Sequence, residues 1–331
     1  MSELKKACIS GVGHYVPEKI LTNADLEKMV DTSDEWIITR TGIKERHIAA
    51  DNENSSDLGV AASKKAIEMA GISPDDIDLI ICNTITPDMV FPATAALIQD
   101  KLQANNAGTI DIEAACTGFI YGLSIASQFI QTGKYKHVLV ISAEVLSRIT
   151  DWEDRNTCVL FGDGSGAAIV SEAPENSNSQ LIDFYLRGAG KYKDILLLPA
   201  GGSAKPASME TVQNREHYMR MDGSATFKLA VTYMVESVEN VLKAQNMSVE
   251  QVDWLIPHQA NIRIMKMVAK RLGIPEEKVI INIEKYGNTS AATIPIAYSE
   301  FLENGKIKKG DTVVTVAFGG GMTWGANLLV V

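Results

Sequence analysis

The sequence predicts an α/β protein made of two similar halves, with strands and helices alternating in layers. Three observations predict it. The 331-residue chain is too long for one small core and suits two domains or one duplicated fold. Hydrophobic residues make up 46% and aromatics only 6%, a composition of Val, Ile, Ala and Gly that fits a packed α/β protein and not a disordered chain. Landmarks of the first half recur in the second at one constant offset, the mark of an internal repeat.

The elements follow in order. The run I-D-L-I-I-C-N, 77–83, reads as a buried strand after the turn Gly-Ile-Ser-Pro-Asp-Asp, and 247–258, M-S-V-E-Q-V-D-W-L-I-P-H, has the same shape. Ser73 answers to Ser248, Asp78 to Asp253 and Ile80-Ile81 to Leu255-Ile256. The turn and strand at 132–142 resemble those at 304–317. Between these landmarks each half holds a strand that breaks into a helix, which puts Cys116 and Asn288 at matching positions. Apolar periodicity predicts helices over 56–69, 117–131, 225–243 and 262–271, and the alternation predicts largely parallel strands. The polar stretch 173–180 places the boundary between an N-terminal half, 1–174, and a C-terminal half, 175–331. A second polar stretch, 201–217, reads as a surface excursion.

Composition excludes several classes. A net charge of −10 opposes non-specific binding to nucleic acid or an anionic membrane. No apolar run reaches the roughly 18 residues of a membrane span. The first six residues are polar and lack the apolar core of a secretory signal, so a cytoplasmic location is expected. Cys8, Cys82, Cys116 and Cys158 lie far apart with no metal-like spacing, and read as reduced thiols without a disulfide framework or metal site.

Cys116 follows an apolar strand and opens a helix whose apolar positions, Phe119, Leu123, Ala126 and Ile130, recur at helical spacing. Unpaired N–H groups at a helix start and the positive end of its dipole favour thiolate, which makes this cysteine the candidate nucleophile. The other three sit in apolar, strand-like runs and read as core. Of five histidines, His258 alone stands directly after a strand and before a helix, where α/β proteins assemble sites. Asn288, in Y-G-N-T-S-A-A, stands at a helix start, where Asn is also a common cap. The run F-G-G-G-M-T-W-G lets backbone approach a ligand closely and offers N–H groups to an oxyanion. The glycines of F-G-D-G-S-G-A-A lack the lysine and spacing of a phosphate loop and read as structural.

Taken together these runs resemble the β-ketoacyl-acyl-carrier-protein synthase III family. The resemblance spans nearly the whole chain and includes G-x-Y-x-P at 13–17, D-E-W-I-I-T-R-T-G-I-x-E-R at 34–46, A-A-C-T-G-F, D-R-N-T-C-V-L-F-G-D-G-S-G-A, P-H-Q-A-N, Y-G-N-T-S-A-A and F-G-G-G-M-T-W-G. It implies the thiolase-like fold, two duplicated halves in a five-layered αβαβα sandwich paired as a homodimer. It implies a Cys116, His258, Asn288 triad, with the N–H groups of Cys116 and Gly320 holding the oxyanion. Cys116 would take an acyl group from acyl-coenzyme A; malonyl-acyl-carrier protein would then lose carbon dioxide, and its enolate would attack the acyl-cysteine. Coenzyme A is a substrate in this scheme, and no metal or other cofactor is implied. Trp36, Arg40, Thr41, Arg155 and Asn261 would bind the coenzyme; Phe91, crossing from the partner, with Leu160, Phe161 and Phe318 would wall the acyl pocket; Lys228, Arg263 and Lys266 would dock the acidic carrier protein.

Two departures bear on acyl preference: Asn156 stands where relatives often carry Gly, and 201–219 is longer than in compact members. Relatives of the same fold make the rival readings. A thiolase needs a second cysteine near the C-terminus, and F-G-G-G-M-T-W-G has none. No glutamate fits the motif of a hydroxymethylglutaryl-coenzyme A synthase. A specialised synthase with a longer or unusual acyl donor stays open, and intact Cys116, His258 and Asn288 oppose a non-catalytic scaffold.

Overall fold

The structure is a computed structural model and describes residues 4–331; residues 1–3 of the polar N-terminal stretch lie outside it. Ala7–Tyr15 (β1), Leu79–Asn83 (β2), Gly108–Ile112 (β3), His137–Glu144 (β4) and Gly164–Glu172 (β5) form one sheet in the order β1-β5-β4-β2-β3. Gln180–Gly188 (β6), Trp254–Pro257 (β7), Thr312–Gly319 (β8) and Thr323–Val330 (β9) form the other in the order β7-β8-β9-β6. The orders correspond strand for strand, and a parallel bridge from Leu255 to Val279 stands where β3 pairs with β2.

The sheets are mixed, which corrects the expectation of largely parallel strands. β2 is parallel to β3 and β4, and β7 to β8, but every other pairing is antiparallel. A three-residue link such as Gly320–Met322 cannot carry a parallel crossover, so β8 and β9 must form a hairpin.

Five long helices complete the layers: Ser55–Ala70 (α1), Gly118–Gln131 (α2), Gly223–Ala244 (α3), Ile262–Leu272 (α4) and Thr293–Glu303 (α5). α2 and α5 lie between the sheets. Phe119, Ile120, Leu123 and Ile130 of α2 and Ile294 and Ala297 of α5 share one core with Val138 and Val140 of β4 and Val313 and Ala317 of β8. Alternate residues of β4, Leu139 and Ile141, turn the other way and pack with Ala62 and Ala66 of α1. Val314, Val316 and Phe318 of β8 likewise meet α3 and α4. The result is the αβαβα sandwich.

The repeat extends to hydrogen bonds. Ser73 and Ser248 each cap a short turn before a strand, and the Asp78 and Asp253 carboxylates accept the N–H groups that begin the neighbouring strand, from His137 at 3.0 Å and from Thr312 at 2.8 Å. The offset of 175 residues runs from Ser73 and Ser248 through Ala115 and Ser290, which share a positive φ of 44° and 53°, to the strand starts His137 and Thr312. It corrects one sequence pairing. Cys116 corresponds to Ala291 and Asn288 to Glu113, because the left-handed residue that frames each helix start lies one before Cys116 but two after Asn288. Cys158 also lies in a short helix, Arg155–Cys158, and not in a strand.

Candidate active site

Cys116 sits in the turn Ala115–Thr117 that leads into α2, at the base of a cavity of about 560 Å³. The turn packs against its counterpart Ser290–Ala292, which brings the Asn288 segment to the thiol. From the other side comes the glycine run after β8. A Cβ on Gly319 would lie 2.7 Å from the Cys116 nitrogen, so only glycine lets the second half close on the first here. Thr323 fixes that closure, with its hydroxyl 2.7 Å from the Thr117 hydroxyl and donating to Ala114 O at 3.0 Å. Neither the Cys116 nor the Gly320 N–H donates to another residue's carbonyl among the described residues.

The resting thiol is protonated, which corrects the thiolate expected from its place at a helix start. Cys116 is only 7% exposed, and burial pushes its pKa up to about 12; the neighbouring Ser290 hydroxyl lowers it and the Glu144 charge raises it. Desolvation of the charged form outweighs the helix-start N–H groups. His258 directly follows β7; its N–H donates to Val316 O at 2.8 Å, and burial pushes its pKa down to about 3, so the imidazole is neutral. Its Nδ1 lies 2.7 Å from the Thr293 hydroxyl. Asn288 accepts the Ser290 N–H on Oδ1 at 2.9 Å, which turns Nδ2 outward as a donor.

Glu144, absent from the sequence reading, closes the site from below. Fully buried at the end of β4, it accepts from Thr84 Oγ1 at 3.1 Å, Ile85 N at 3.1 Å and Thr86 Oγ1 at 2.7 Å. Burial raises its pKa to about 7 against these hydrogen bonds. The available signal was a carboxylate ending an otherwise apolar strand, V-L-V-I-S-A-E.

The cavity is walled by Ile85, Leu146, Ile149, Phe161, Leu196, Leu198 and Met219, with Val90 at its edge. Of the expected wall, only Phe161 is present. Leu160 packs into the core near Cys158 and Met265, and Phe318 turns toward Tyr233, with ring centroids 6.2 Å apart. Both corrections follow from strand and turn direction, which sends adjacent residues to opposite sides. Phe91 does not wall this protomer's cavity; it is 86% exposed beside Val90 at 95%.

Residues 110–190 fit the family model for 3-oxoacyl-[acyl-carrier-protein] synthase III, and 242–331 its C-terminal model. A β-ketoacyl-[acyl-carrier-protein] synthase III from Caldanaerobacter subterraneus subsp. tengcongensis is 53% identical over 329 residues, covering 99% of each chain. The chain belongs to the β-ketoacyl-acyl-carrier-protein synthase III family. The crystal structure of 3-oxoacyl-[acyl-carrier-protein] synthase III from Aquifex aeolicus is 48% identical with a TM-score of 0.91, covering 98% of this chain and 100% of that one. A priming β-ketosynthase of the R1128 polyketide pathway is 33% identical with a TM-score of 0.91, covering 100% and 98%.

Four of the five expected coenzyme residues of this synthase III fold, Trp36, Arg40, Arg155 and Asn261, lie together at one edge of α4. The Arg40 and Arg155 guanidiniums lie 5.3 Å and 5.5 Å from the centre of the Trp36 ring. Asn261 ties this group to α4, donating to Arg40 O at 2.9 Å while capping the helix through the Arg263 N–H. Thr41 is a correction: it is 3% exposed, and its hydroxyl donates to Ile37 O at 2.7 Å and accepts from Ile43 N at 3.0 Å, so it faces the core. On the expected carrier-docking face, Lys228 and Arg263 are exposed, with Arg263 5.6 Å from the Phe227 ring centre. Lys266 pairs with Glu276 at 2.9 Å, beside Lys270.

Proposed function

We propose that Cys116 carries the acyl group in a decarboxylative Claisen condensation between a short acyl-coenzyme A and malonyl-acyl-carrier protein, the reaction that initiates fatty acid biosynthesis. The chain is an acyltransferase of the synthase III family, and its two halves, 1–174 and 175–331, read as a duplication. The single observation that supports the residue assignment is the buried Cys116 lining a cavity with Ser290 and Gly320, its turn packed against the turn Ser290–Ala292 that follows Asn288.

In the first step Cys116 sulfur attacks the thioester carbon, its proton leaves with coenzyme A, and the oxyanion lies between the Cys116 and Gly320 N–H groups. Each positioned donor of this kind contributes about 3 kcal/mol. In the second, the malonyl thioester loses carbon dioxide, and Asn288 Nδ2 and His258 Nε2 hold the enolate oxygen. The enolate carbon attacks the acyl carbon, and the Cys116 thiolate leaves and takes a proton.

Trp36 with Arg40 and Arg155 supplies a flat ring and two cations for an adenine bearing phosphates. Arg263 and Lys228 offer positive charge to an acidic carrier on an otherwise acidic protein. Exposed Val90 and Phe91 are read as one side of a homodimer contact, and the enzyme as cytoplasmic; no helix among the described residues is long and apolar enough to cross a membrane. A longer or unusual acyl donor is the second reading, and the labelling panel below separates the two.

Incubation with a panel of acyl-coenzyme A donors, followed by mass spectrometry, should add an acyl mass to the Cys116 peptide. Cys116→Ser should label poorly, and equal labelling of the variant would contradict the assignment. His258→Ala and Asn288→Ala should keep labelling while losing condensation with malonyl-acyl-carrier protein.

A further inference from the structure

The proposed condensation needs a proton on His258 Nε2, and a neutral imidazole has only one proton to place. Which nitrogen bears it is set by the partner of the other. Nε2 has no hydrogen-bond partner among the described residues, so the choice rests on Nδ1 and the Thr293 hydroxyl 2.7 Å away.

Thr293 has one hydroxyl proton and two acceptors within reach. One is Nδ1 and the other is Ser290 O at 3.0 Å. The two acceptors differ in need. Ser290 O already receives the Thr293 backbone N–H, whereas Nδ1 has no other partner among the described residues. If the hydroxyl proton goes to Ser290 O, Nδ1–H donates to the Thr293 oxygen and Nε2 is bare; if it goes to Nδ1, Nε2 bears the proton and Ser290 O keeps its backbone bond. The shorter contact is also the one to Nδ1.

The first half shows that this contact is specific to the second. At the offset of 175 residues, His258 corresponds to Asn83 and Thr293 to Gly118. There the same strand end meets the same helix start, but a Cβ on Gly118 would overlap the Asn83 amide, and both polar atoms of that amide lack partners. One copy has dispensed with a side chain at the helix start; the other keeps a hydroxyl aimed at an imidazole.

Resting on the condensation read above, we propose that Thr293 is the positioning residue of His258: its hydroxyl donates to Nδ1 and holds the imidazole with its proton on Nε2, toward the cavity. With Thr293 turned to Ser290 O alone, Nε2 would present a lone pair to an oxygen gaining negative charge. Thr293 touches no substrate. Its effect falls on the decarboxylation and condensation step and leaves acyl transfer to Cys116 unaffected.

Thr293→Val keeps the shape and removes the hydroxyl, and Thr293→Ser restores it. Imidazole nitrogen NMR of the ¹⁵N-histidine-labelled wild type should show Nε2 protonated and Nδ1 bare, and Thr293→Val should shift the Nδ1 signal and mix the two tautomers. The condensation kcat of Thr293→Val should fall about 10- to 100-fold, with the KM for malonyl-acyl-carrier protein and the rate of Cys116 acylation within about twofold of wild type. Thr293→Ser should recover most of kcat. A wild-type signal from an Nδ1-protonated ring, or an undiminished kcat in Thr293→Val, would overturn the proposal. A wild type that shows the Nε2-protonated ring but never condenses would overturn the function read from the site and leave Thr293's role standing.

Discussion

Glu144→Gln replaces a buried carboxyl with an amide of the same shape, and its effect on stability should depend on pH in one direction. Burial holds the Glu144 pKa at about 7, against 4.5 for the unburied group. A group whose folded pKa lies above its unfolded value contributes stability that is fully present below about pH 4.5 and is lost as pH rises through about 7. At 1.36 kcal/mol for each tenfold change, that loss is roughly 3 kcal/mol. Gln does not titrate, so the unfolding free energy of Glu144→Gln minus that of wild type should rise by roughly 3 kcal/mol between about pH 4 and about pH 8. His258 slopes the other way. Its folded pKa of about 3 lies below its unburied value of 6.5, so its contribution is present above that value and is lost as pH falls toward 3. The two slopes oppose each other in wild type, and only the difference between the two proteins isolates Glu144. Urea unfolding followed by tryptophan fluorescence, at matched protein concentration across this pH range, measures it. A difference that stays constant from about pH 4 to about pH 8 would refute the assignment of a raised Glu144 pKa.

Gly319→Ala forces a methyl to within 2.7 Å of the Cys116 nitrogen; the displaced oxyanion donors should slow acylation of Cys116 about 100-fold, read by single-turnover labelling. Met219→Trp fills the cavity beside Leu198 and Ile149, and in competition labelling should shift donor preference toward shorter acyl groups. Arg263→Glu should raise the KM for malonyl-acyl-carrier protein about tenfold at low salt, and the difference should shrink as ionic strength rises.

Much of this protein was legible in local sequence. The continuous apolar run V-L-V-I marks a strand buried on both faces, and the strand-then-helix breaks at Cys116, His258 and Asn288 mark the three places where a side chain stands at the end of a strand or the start of a helix. The repeat was legible for the same reason: the Ser73 and Ser248 caps and the Asp78 and Asp253 contacts are local devices with local signatures. Other features needed the packed molecule. The frame that pairs Cys116 with Ala291 depends on which residue takes a positive φ, and the inward turn of Thr41 depends on the carbonyl of Ile37 and the N–H of Ile43 being in reach.

Local pattern alone pointed to an α/β chain with repeated landmarks and to strand–helix junctions at Cys116, His258 and Asn288, because periodicity and turn chemistry act over a few residues; the αβαβα layering and the triad came from the family resemblance. Packing was needed to see that burial raises the Cys116 pKa, that Glu144 lies near it, that Leu160 and Phe318 are absent from the cavity wall, and that Thr293 reaches His258. Desolvation and side-chain contact depend on what distant segments bring to a point, and residues 144, 258 and 293 come to Cys116 from separate elements of both sheets and the central helix layer.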